Sequence, residues 1–214
     1  MRIIKPYYTI LTDISEGGLD ELKMIERIAR VCYKSEGKIT PDGESAKILI
    51  KKLIDNGHEA MIEHSQLSVL FVCDRGVSHE LVRHRIASFA QESTRYCNYM
   101  KEGKFPEGVT FISPCFYDDD PSRFEEWKAA CEDCEYWYFQ ALKRGATPQE
   151  ARTVLNNSVK TEIVVTANYR EFRNIFKLRT SPAAHPQMRE LMVPLLADLQ
   201  SRIPIIFDDI EVTV

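Results

Sequence analysis

Two periods of apolar residues organise the chain. Residues 3–11 alternate aromatic and aliphatic side chains as a strand does, whereas residues 19–33 place Leu22, Ile25, Ala29 and Cys32 at helical spacing. Residues 45–56 repeat the helical pattern with Ile48, Ile50, Leu53 and Ile54, and Gly57 follows where a helix is expected to end. Residues 67–73 read as a strand. Residues 76–85 read as a helix with Val77, Leu81 and Ile86 on the buried side and His79, Glu80, Arg83 and His84 on another. After a polar loop over 99–108 and a short strand over 109–112, Asp118, Asp119, Asp120 and Pro121 open a long helix to about Arg144, with acids at its positive end. Gly145 ends that helix, and Thr147, Pro148 and Glu150 supply the cap, first-turn proline and capping-box acid of the next. A strand is expected over 159–167, then an amphipathic helix over 168–179 whose core face is Phe172, Ile175, Phe176 and Leu178. A helix over 188–203 and a closing strand over 205–212 complete the pattern. Strands and long helices in this irregular order predict an α+β fold, a mixed sheet with long helices in a single domain spanning residues 1–214.

Composition narrows the function. A chain of 214 residues with 44% hydrophobic content can bury a full core. Its formal net charge of −4 argues against general attraction to nucleic acid or to an anionic membrane, so any anion site must be a local concentration of cations. The six cysteines are scattered, no apolar signal segment follows Met1, and no apolar run is long enough to cross a bilayer. The expectation is a reducing cytoplasm with most thiols acting as small core residues. Cys131 and Cys134 form the spacing of a redox or zinc motif, but no second such pair accompanies them.

The densest chemistry lies between Arg83 and Tyr96. Arg83, His84, Arg85, Gln91, Ser93 and Arg95 supply donors and cations, while Ile86, Ala87, Phe89 and Ala90 anchor the segment in a core. The arginine fork matches phosphate oxygens two at a time, so a phosphate ester is the expected ligand. A second polar cluster, His58, Glu59, Glu63 and His64, precedes the strand at 67–73. Histidines six apart do not share a helical face, so no metal is expected, and Glu63 with His64 reads as a hydrogen-bonded pair fixing the connector. Two other classes use the same residues. A metal-dependent nucleotide hydrolase would gather His58, His64, His79 and His84 around a cation, and a nucleic-acid-binding module would set the arginines on backbone phosphates.

The order Arg83-His84-Arg85, a spacer, then Ser93 followed by Arg95 and Tyr96 resembles the signature of the flavin-dependent thymidylate synthases. Three further segments extend the resemblance over most of the chain: Gly57-His58-Glu59, Glu150-Ala151-Arg152, and Asn168 through Arg179. It implies reductive methylation of deoxyuridine monophosphate (dUMP) to thymidine monophosphate (dTMP), with methylenetetrahydrofolate as carbon donor, flavin adenine dinucleotide (FAD) as redox carrier and NAD(P)H as electron source. It also implies a homotetramer with sites at subunit interfaces. Arg179 takes the role of activating the pyrimidine. Flavin contact falls to His58, Ala60, Arg83, His84, Arg85, Gln91, Asn168, Arg170 and Asn174; Ala60 stands where some relatives place a threonine, and Gln91 where some carry glutamate. The nucleotide falls to Glu80, Arg83, Gln91, Glu92, Ser93, Thr94, Arg95, Arg152 and Arg179, with Glu80 where many relatives have glutamine. Arg152 is expected to reach a nucleotide bound mainly by a neighbouring subunit, and His185 lies in a loop that matches only loosely. With no Gly-rich dinucleotide fingerprint in the chain, flavin binding is expected to be of a non-Rossmann type.

Overall fold

The computed structural model describes residues 1–101, 103 and 105–212, so the loop expected over 99–108 includes two positions, 102 and 104, outside the described residues. The architecture is α+β. In chain order the elements are β1 (Arg2–Ile4), β2 (Tyr7–Ile10), α1 (Leu19–Val31), α2 (Glu44–Asp55), β3 (Gln66–Asp74), α3 (Arg75–Leu81), β4 (Ser88–Gln91), β5 (Thr110–Ile112), α4 (Pro121–Lys143), α5 (Pro148–Ala151), β6 (Lys160–Asn168), α6 (Tyr169–Arg179) and α7 (Pro186–Arg202). One sheet has the order β2-β3-β6-β4; the other pairs β1 with β5 in parallel, Ile3 opposite Phe111. Among the described residues no helix is long and apolar enough to cross a membrane.

The chain divides into two compact units. The first holds Met1–Tyr8, Leu70–Arg83 and Phe89–Val164. Its core gathers Tyr99, Val109, Phe111, Cys131, Tyr138, Ala151 and Val159, with the Tyr99 and Tyr138 rings 5.7 Å apart. α4 begins where the acids and proline placed it, the Asp120 carboxylate accepting the Arg123 N–H at 3.1 Å. The Thr147–Glu150 capping box of α5 is formed as expected.

The second unit holds Thr9–Val69, His84–Ser88 and Val165–Val214. Leu22 and Ile25 of α1, Ile50 of α2, Phe172 and Phe176 of α6 and Leu191, Leu195 and Leu199 of α7 are among its buried residues. The helical faces are narrower than their apolar residues suggested: Cys32, Ile48, Ile86 and Leu178 are exposed. Glu26, in the middle of the α1 face, is wholly buried instead, held by Arg30 at 2.7 Å and by the Ser45 hydroxyl at 2.8 Å.

Three expectations about elements are corrected. The strand over 3–11 is two strands in different sheets, because Pro6 has no N–H to continue a ladder. The helix over 76–85 ends at Leu81, which takes Arg83 and His84 off it. The closing strand over 205–212 is a series of turns. Ile205 sits at φ 83° with its N–H donated to the Asp208 carboxylate at 2.8 Å, and Ile203, Ile206, Phe207 and Ile210 are buried as a knot. Phe207 packs edge-on against Tyr169 and Phe176 of α6, with centroids 5.9 and 5.6 Å away.

Candidate functional site

α6 carries most of the site in the second unit. Asn168 ends β6 and caps the helix, its side-chain oxygen accepting the Glu171 N–H at 2.8 Å. From that start, positions 170, 171, 174 and 177 fall on one side of the helix, while Phe172, Ile175 and Phe176 face the core. The polar side lines a cavity of about 510 Å³ with Asn168, Arg170, Asn174 and Lys177 as donors and Glu59, Glu63 and Glu171 as acids. A groove of about 450 Å³ shares Glu63, Ile86 and Asn168 with it and adds His64, Arg85 and Ser88. Exposed Ile86 is thus an apolar wall for both.

Two of the three acids of the cavity are matched by cations. Arg170 donates to Glu63, which corrects the expected Glu63–His64 pair. Arg173, only 1% exposed, donates through Nε and Nη2 to Glu59 at 3.2 and 3.0 Å and in a fork to Asp209 at 2.6 and 2.7 Å. Its Nη1 also reaches the Ile206 carbonyl. A buried guanidinium without such partners would not be tolerated. Arg173 thereby joins the turn at Glu59–His64 to the C-terminal segment around Ile206 and Asp209.

At the end of α6, Arg179 donates Nε–H to His84 Nε2 at 3.0 Å. His84 is 6% exposed, and its Nδ1 lies 3.3 Å from the Glu171 carboxylate. Burial, then the Arg179 guanidinium, pulls the imidazole below its usual pKa, while Glu171 pulls the other way. The imidazole is therefore neutral, with its bare nitrogen toward the arginine. Both ring nitrogens are engaged, and among the described residues no three His, Cys, Asp or Glu side chains converge to hold a metal. The hydrolase alternative is left without a ligand set.

The rest of the signature belongs to the first unit. The Gln91 amide nitrogen donates to the Ser78 and Thr161 hydroxyls at 2.9 and 3.2 Å. Glu92 accepts from Tyr99 at 2.9 Å and from Lys160 at 2.8 Å. Burial and then Glu92 push the Tyr99 phenol up, so it stays a donor. Ser93 opens a turn closed by the Tyr96 and Cys97 N–H groups on its carbonyl. Buried Thr94 accepts from Arg152 Nη1 at 3.1 Å, which ties Arg152 to the signature of its own chain. Arg83 and Arg95 are exposed, Arg95 lying over the Tyr96 ring at 5.4 Å.

Of the residues singled out in the sequence, the structure places Asn168, Arg170, Asn174, His84 and Arg179 in one unit, and residues 91–95 with Arg152 in the other. His58 and Ala60 are exposed and line neither cavity, and Glu80 stays on α3. His185 caps α7, accepting the Gln187 N–H at 3.3 Å. The residues missed are Glu171, Arg173 and Lys177. Glu171 carried a signal: Asn168 followed three residues later by an acid is the spacing of a helix cap.

Residues 17–205 match the family model described as thymidylate synthase complementing protein. The protein named flavin-dependent thymidylate synthase in Corynebacterium aurimucosum is 29% identical over 218 residues, covering 94% of this chain and 84% of its own. Its namesake in Mycolicibacterium gilvum is 31% identical over 207 residues, covering 89% and 80%. One in Pyrococcus horikoshii is 35% identical over 168 residues, covering 77% and 66%.

Proposed function

The chain belongs to the flavin-dependent thymidylate synthase family, and from that premise we propose that it converts dUMP to dTMP, with methylenetetrahydrofolate supplying the carbon, FAD carrying electrons and NAD(P)H providing them. The observation that carries the reading is Arg179, held through Nε by a neutral, buried His84 at the end of the helix that lines the donor-rich cavity.

C5 of uracil attacks carbon poorly until charge is pushed into the ring. A fixed guanidinium at the carbonyl edge favours the ionised pyrimidine electrostatically, and a guanidinium already oriented loses little in reorganisation. Arg179 takes that role. Ser93, Arg95, Arg152 and Arg83 hold the phosphate and sugar, with Glu80, Gln91 and Thr94 completing the nucleotide's surroundings. Glu92, neutralised by Lys160 at 2.8 Å, sits beside the phosphate residues without repelling them.

The cavity fits a dinucleotide. Asn168, Arg170, Asn174 and Lys177 are donors for a diphosphate and its hydroxyls, while Arg170 offsets Glu63 and Arg173 and Lys177 offset Glu59. The adjoining groove extends the space toward Arg85. FAD bound there would supply the reducing equivalents that the methylation needs. His84 and Arg85 of the second unit are assigned to the flavin as well, and Gln91, His58 and Ala60 are the further flavin contacts that the family resemblance implies. We further propose that residues 1–214 act as one domain in a homotetramer in the cytoplasm, an assembly supported by exposed Arg83, Arg85 and Arg95, which are open to a neighbouring chain.

The test is an absorbance spectrum of the purified protein before and after FAD, then NAD(P)H with and without dUMP. Flavin bands that bleach at a rate altered by dUMP are expected, with Arg179→Ala binding both ligands and losing turnover. A protein that takes up no flavin overturns the reading.

A further inference from the structure

We propose that Glu171 is a positioning residue for the reaction, selecting through His84 the imidazole tautomer that holds the Arg179 guanidinium; the inference rests on the role given to Arg179 above. Arginine only donates. Its Nε–H on His84 Nε2 at 3.0 Å requires that nitrogen to be bare, which puts the ring proton on Nδ1. A buried Nδ1–H needs an acceptor, and the Glu171 carboxylate stands 3.3 Å away. With the proton on Nε2 instead, two donors would face each other and Arg179 would swing off the ring.

Glu171 is itself built into place. It is 7% exposed, its backbone N–H is capped by Asn168, and Asn174 Nδ2 lies 3.3 and 3.4 Å from its two oxygens. Its position in the first turn of α6 puts the carboxylate at the positive end of the helix. A buried acid with no task beyond packing would be outdone by an apolar residue of similar volume, because desolvating the charge is expensive. The chain Glu171–His84–Arg179 gives it a task.

The protein labelled with ¹⁵N-histidine reports the tautomer directly, with His84→Gln assigning the resonance. Wild type should show His84 protonated on Nδ1 and bare on Nε2. Glu171→Gln keeps an acceptor oxygen and should keep both the tautomer and most of the turnover. Glu171→Leu should move the proton to Nε2 and lower kcat about 10²-fold, the usual effect of misplacing a reacting group by about 1 Å, with the nucleotide KM little changed. A wild-type His84 protonated on Nε2 overturns the proposal whether or not any variant folds, as does a leucine variant that keeps the wild-type tautomer. Wild-type protein with the expected tautomer but no dUMP-dependent turnover would instead refute the synthase reading and leave the Glu171–His84 contact intact.

Discussion

Replacing Arg173 by methionine should destabilise the second unit by several kcal/mol. The side chain is 1% exposed and binds Glu59, Asp209 and the Ile206 carbonyl together. Methionine fills much of the volume, so the loss is electrostatic. Glu59, 17% exposed, would keep only Lys177 at 3.7 Å and Arg170 at 3.9 Å, and the Ile206 carbonyl would lose this donor in a buried knot. Removing one partner of a buried ion pair costs roughly 3–5 kcal/mol. For a chain of this size that is a fall in Tm of roughly 6–20 °C, at about 2–4 °C per kcal/mol. Asp209→Asn should cost only about 1 kcal/mol, since the partner is half exposed and Glu59 remains. Thermal melting followed by circular dichroism reads both, and hydrogen exchange of amides 203–210 shows where the loss falls. If Arg173→Met melted within about 2 °C of wild type, a difference below 1 kcal/mol by the same conversion, with residues 203–210 still protected, the guanidinium would not be what anchors that knot.

Two further outcomes follow from the geometry. His84 is held below its usual pKa of 6.5 by burial and by Arg179, so the unfolded chain binds the proton more readily, and stability attributable to this group is present above pH 6.5 and lost as pH falls below it. Tm measured between pH 7.5 and pH 5.5 should therefore drop further for wild type than for His84→Gln; equal slopes would show that the imidazole is not kept neutral. Arg152→Ala removes the donor to Thr94 and a cation beside the signature, and should raise the KM for dUMP about 10-fold, the loss of one charge-assisted hydrogen bond, with kcat changing less. An unchanged KM would take Arg152 out of the nucleotide site.

Periodicity along the chain was enough for α1, α2 and α6, which carry apolar stripes, and cap chemistry for the starts of α4 and α5. It misled where local pattern and tertiary context part. Residues 205–212 have the composition of a strand, yet Pro204, Asp208 and Asp209 turn the chain so that Ile203, Ile206 and Ile210 are buried at uneven spacing while Ile205 is only half-buried. β4 is short enough to pass for loop, and the helix before it stops at Leu81, which frees His84 to go inside alone. At the site, resemblance assigned roles residue by residue. The Glu171–His84–Arg179 chain and the Arg173 cluster were invisible because the partners lie far away in sequence, Glu59 being 114 positions from Arg173 and His84 95 from Arg179. No window of sequence long enough to show a helix is long enough to show those pairs.

The loading of α6 has a practical side for anyone reshaping this chain. One residue inserted between Glu171 and Phe176 would rotate everything after it by about 100° and advance it about 1.5 Å. Arg179 would leave His84, Lys177 would leave the cavity, and Phe176 would be turned toward water. Exposed Leu178 can change its identity with little consequence, but not its count from Asn168. Splices, tags and circular permutations belong in other segments, and libraries built on this helix should vary letters at fixed length.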